Sequence, residues 1–70
     1  MPTLKLHVAM EHPDDEARVE RLLRAQAGVY GAVANRGKAC VEVDFEDDEE
    51  TVQHLVETLA AAGYEARLAG

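Results

Sequence analysis

The sequence predicts an α+β domain, a ferredoxin-like βαββαβ sandwich in which a four-stranded antiparallel sheet carries two helices on one face. Three observations lead there. Apolar residues alternate over Thr3–Ala9 and Ala39–Phe45, the period of half-buried strands. They recur at i, i+3 and i+4 over two other stretches, the period of amphipathic helices. Each helical stretch ends at a glycine, Gly28 or Gly63, and a short strand-like segment comes after it. Two helices on one face of a sheet with strand order 4-1-3-2 bury every apolar stripe at once.

In the first strand Leu4, Leu6 and Val8 face one way and Thr3, Lys5 and His7 the other. Pro13 suits a first helical position, where its missing N–H has no intrahelical role. Asp14, Asp15 and Glu16 then fill a first turn whose free N–H groups favour negative charge. That helix runs to about Gln26, with Val19, Leu22 and Leu23 inward and Arg18, Glu20, Arg21 and Arg24 mostly outward. The second strand, about Val29 to Ala34, leads into Asn35-Arg36-Gly37-Lys38. This reads as a tight hairpin, with Gly37 able to take positive φ. In the third strand Ala39, Val41, Val43 and Phe45 share one face, and Cys40, Glu42 and Asp44 share the other.

Asp47 and Glu50 have the spacing of a capping box before the second helix, whose stripe is Val52, Leu55, Val56, Leu59 and Ala60. His54 falls on its polar side. Tyr64 to Ala69 can form a short last strand. With no repeat, linker or low-complexity stretch, residues 1–70 read as a single domain.

Composition narrows the function. Apolar residues make up 47% and charged residues 30%, enough apolar content to fold rather than remain disordered. A net charge of −7 with scattered Lys and Arg repels phosphate backbones and anionic lipid, so neither nucleic acid nor direct membrane insertion is expected. The lone Cys40 has no internal disulfide partner. A cytoplasmic domain is expected, free or as the cytosolic part of a membrane protein, and monomeric. The chain has no arginine-rich phosphate loop, no nucleophile beside a base and no Gly-rich cradle, so an enzyme is not expected.

Several separate pieces carry a family resemblance. Met10-Glu11-His12-Pro13-Asp14-Asp15-Glu16-Ala17-Arg18-Val19-Glu20, Gly28-Val29, Gly37-Lys38-Ala39 with Val41-Glu42-Val43, and Leu55 to Ala66 together resemble the heavy-metal-associated domain. That βαββαβ module occurs as metallochaperones and as N-terminal domains of metal-transporting P-type ATPases. The family pattern G-M-x-C-x-x-C is altered here. His12 and Asp15 stand at the two cysteine places, and Ala9 stands for the glycine. The resemblance implies that Met10 supports the loop from the core and that Tyr64 shields its metal end.

Imidazole plus carboxylate suits Zn(II), Co(II), Ni(II) or Cu(II) better than Cu(I), which prefers two thiolates. His12 and Asp15, three apart across a helix start, are candidate ligands. A structural zinc site wants four donors, and topology offers Cys40, with Glu11 and His7 as weaker candidates. Two functions remain open. One is a metal-binding domain taking a divalent ion, zinc first, and delivering it to or regulating a metal-transporting P-type ATPase. The other is a metal-free interaction module of the same fold, with His12 a solvent-facing cap and Asp15 serving the helix dipole.

Overall fold

In the computed structural model, residues 3–46 and 49–69 are described. The chain runs β1 (Thr3–Val8), α1 (Asp15–Arg24), β2 (Val29–Asn35), β3 (Cys40–Phe45), α2 (Glu49–Ala61) and β4 (Ala66–Leu68). All strand pairs are antiparallel. The sheet order β2-β3-β1-β4 is the expected 4-1-3-2 taken from the opposite edge.

Strand alternation puts the core on one face. Leu6, Val8, Val41 and Val43 are at most 1% exposed, while Lys5, His7, Glu42 and Asp44 are exposed on the other face. Both helices cover the first face through Val19 and Leu23 of α1 and Leu55 and Leu59 of α2. Burying one such leucine contributes roughly 1.5–3 kcal/mol, so these four residues hold both helices to the sheet. Ala60 departs from the predicted stripe and is exposed. A position one residue past Leu59 has rotated about 100° toward solvent.

Two local expectations are corrected. Pro13 lies ahead of the α1 N-cap, Asp14, rather than at the first helical position, and the Asp14 side chain makes no capping bond. In the hairpin the left-handed residue is Ala39, at φ 51°, not Gly37. Asn35 Oδ1 accepts the Lys38 N–H at 3.1 Å and closes a single 3-10 turn over Arg36–Lys38. That turn consumes three residues, so the sharp reversal falls one step later than a two-residue hairpin would put it. The predicted Asp47–Glu50 capping box lies outside the described residues.

The end of α2 sets the position of Tyr64. Gly63, at φ 94°, adopts a conformation that side-chain-bearing residues rarely take. Tyr64 N–H bonds Leu59 C=O at 2.8 Å and Gly63 N–H bonds Ala60 C=O at 3.0 Å. This pair of bonds is the Schellman closure of a helix C-terminus. It turns the chain sharply and aims Tyr64 back toward α1.

Candidate metal-binding loop

The loop between β1 and α1 is anchored at its start by Met10, 7% exposed and part of the core. Its flexible thioether is suited to packing an irregular part of that core. At the other end Asp15, the first residue of α1, is buried at 6% exposure. Asp15 Oδ2 accepts the backbone N–H groups of Glu11 at 3.1 Å and His12 at 2.9 Å. Its Oδ1 accepts the Tyr64 hydroxyl at 2.8 Å. The carboxylate therefore organises the loop from within, rather than only balancing the dipole of α1.

The same contacts set its protonation. The His12 N–H first, then the Tyr64 hydroxyl, hold the Asp15 pKa below its ordinary 3.8, against the upward push of burial. Tyr64 moves the other way. Burial, with the Asp15 carboxylate next, raises its phenol above 10.0. Both shifts keep the hydroxyl as donor and the carboxylate as acceptor.

His12 is exposed, and so is Glu11. Both line, with Asp15, Gly63 and Tyr64, one open depression at this end of the molecule. Cys40 and His7 lie elsewhere. They are register partners between β3 and β1, with Cys40 buried, and neither lines that depression. Cys40 has the strand parity of Glu42 and Asp44, so alternation sends it to the face away from the helices. Among the described residues, no group of three or more His, Cys, Asp or Glu side chains is placed to hold one ion. The five candidate donors that the sequence offers are therefore divided, with His12, Asp15 and Glu11 at the loop and His7 and Cys40 on the outer sheet face.

Donor chemistry bears on fit. An ionised carboxylate has about four acceptor positions, and three on Asp15 are taken. One Oδ1 lone pair remains, so Asp15 suits one-point attachment beside an imidazole and not bidentate chelation. The residue that sequence alone undervalues is Tyr64. Its link to Asp15 joins positions 49 apart, and no local pattern reports such a bond.

Comparison with solved structures gives the fold its context. Oxidized MerP from Ralstonia metallidurans CH34 superposes with a TM-score of 0.91 at 24% identity, covering 99% of this chain and 97% of that one. The fold is that of the heavy-metal-associated domain. A copper binding domain from HMA7, a P-type ATPase, has this fold too, with a TM-score of 0.86 at 24% identity over 100% of this chain and 96% of its own. The N-terminal domain of a potential copper-translocating P-type ATPase from Bacillus subtilis, in the Cu(I)-loaded state, matches at 26% identity with a TM-score of 0.87. It covers 97% of this chain and 86% of that one. No family model and no curated protein matches the sequence. Among the described residues, no helix is long and apolar enough to cross a membrane.

Proposed function

We propose that this heavy-metal-associated fold serves metal handling, taking a borderline divalent ion at the β1–α1 loop for delivery to, or regulation of, a metal-transporting P-type ATPase. The observation that carries the reading is the shared depression in which the exposed His12 imidazole stands beside the Asp15 carboxylate. His12 is the first ligand and Asp15 Oδ1 the second, with water completing the shell. Such a set favours zinc, cobalt, nickel or copper(II) over Cu(I) and holds them weakly enough to exchange. The net charge of −7 draws cations toward the surface. Solved neighbours described as a metallochaperone, a copper binding domain and the N-terminal domain of a potential copper-translocating P-type ATPase support this role.

A cobalt(II) titration tests the proposal. Binding at the loop gives d–d absorption and NMR shifts at His12 and Asp15, and His12→Ala abolishes both while leaving the melting temperature of the metal-free domain unchanged. Absence of any response at millimolar ion sinks it.

One observation favours a second reading. Because the Asp15 carboxylate already receives three hydrogen bonds, the loop is closed without an ion. In that case the domain is a metal-free docking or regulatory module. Equal melting temperatures with and without divalent ions are its signature, since a ligand that binds only the native state raises apparent stability.

A further inference from the structure

One edge of the sheet is β2, and the outward backbone groups of an edge strand are an open template for another strand. Here two of them, on Ala32 and Ala34, are occupied from α1, and so is the N–H of Arg36 just past the end of the strand. Arg24 Nη2 donates to Ala32 C=O at 2.8 Å, Ala34 N–H donates to Glu20 Oε2 at 2.8 Å, and Arg36 N–H donates to Glu16 Oε2 at 2.8 Å. The three helical residues are spaced by four, and the three backbone positions by two in the opposite direction. Four helical residues rise about 6 Å, and two strand residues about 6.6 Å, so the two ladders stay in step. Glu20 Oε1 also lies 3.9 Å from Arg24 Nη2, linking the acceptor and donor rungs.

We propose that Glu16, Glu20 and Arg24 form a strand-mimicking guard that keeps β2 from pairing with β2 of a second copy of this chain. Carboxylates stand where a neighbouring strand would offer C=O, and the guanidinium stands where it would offer N–H. The hazard they cover is specific. The β2 strand runs seven residues and carries Tyr30 and Val33, 57% and 65% exposed, whereas the opposite edge, β4, has three residues. A long edge with exposed apolar side chains recruits partners, and a very short one does not. Two copies related by a two-fold axis would align β2 antiparallel with β2, with Val33 near the centre. The guard is independent of any metal, so its failure and that of the proposed function are separable.

Sedimentation of the Glu16→Ala/Glu20→Ala/Arg24→Ala variant against wild type is the test. Wild type stays monomeric across the concentration range. The variant dimerises with concentration, and adding Val33→Lys at the paired edge restores the monomer. A folded variant that stays monomeric, or a dimer indifferent to Val33→Lys, overturns the proposal. Where the triple variant fails to fold, single Glu20→Ala and Glu20→Gln proteins decide by amide hydrogen exchange. Exchange at Ala34 then quickens about tenfold or more with Ala, the loss expected for a bond to a charged group. It quickens less with Gln, which retains an acceptor oxygen. Unchanged exchange in Glu20→Ala overturns the guard.

Discussion

The Tyr64 hydroxyl lies 2.8 Å from Asp15 Oδ1, tying the turn after α2 to the start of α1. Tyr64→Phe removes the second-largest influence holding the Asp15 pKa down and leaves the two backbone donors in place. The Asp15 carboxyl therefore titrates higher in this variant, closer to its ordinary 3.8, as followed by carboxyl carbon NMR. A midpoint that stays put would mean the hydroxyl does not act on the carboxylate. The same change frees an Oδ1 lone pair, so cobalt binding at the loop strengthens or holds and does not weaken.

Acid stability depends on the direction of the Asp15 shift. A carboxyl whose native pKa lies below its unfolded value leaves the unfolded chain binding more protons in between, so stability rises with pH there. The Asp15 contribution is fully present above the unfolded value, near 3.8, and is lost as pH falls through the lower native value. Asp15→Asn is less stable at neutral pH, and its melting curve shows a shallower decline through this acid window. Parallel acid profiles for the two proteins would contradict the assignment.

Ala39 adopts φ 51° with a Cβ that the left-handed region disfavours by roughly 1–2 kcal/mol. Glycine relieves that strain but adds about 0.5–1 kcal/mol of backbone entropy to the unfolded chain. Ala39→Gly therefore stabilises by roughly 0.5–1 kcal/mol, visible as a melting temperature raised by several degrees. A lowered value would show that the hairpin backbone is not strained at this residue.

Leu55 is fully buried, whereas Ala60, from the same predicted stripe, is exposed. Leu55→Ala costs about 2–5 kcal/mol, a large part of the roughly 4–10 kcal/mol expected for a domain this small. Ala60→Ser changes stability by less than about 0.5 kcal/mol. Urea unfolding of the two variants distinguishes them, and comparable losses would put Ala60 in the core after all.

Periodicity carried most of the architecture. Leu6 and Val8, Val41 and Val43, Val19 and Leu23, and Leu55 and Leu59 all lie where alternation or helical spacing puts them. Met10 is in the core as the family resemblance implies. What local pattern missed were choices between near-equal alternatives. Whether the sharp residue of the hairpin is Gly37 or Ala39 depends on how many residues the Asn35-capped turn consumes. The Glu16, Glu20 and Arg24 spacing is visible in the sequence, but its partner strand is not.

The sequence by itself determined element order, the buried faces and the position of His12 and Asp15 at a strand-to-helix loop, because period and chain direction are local properties. Only the tertiary structure decided what those side chains meet. Strand parity sends Cys40 to the outer face beside His7, away from the loop depression. The left-handed Gly63 aims Tyr64 at Asp15, and three hydrogen bonds turn a candidate ligand into the internal tie of its own loop. Those contacts join residues distant along the chain, and their energies depend on burial and geometry that arise only when the sheet and both helices are assembled.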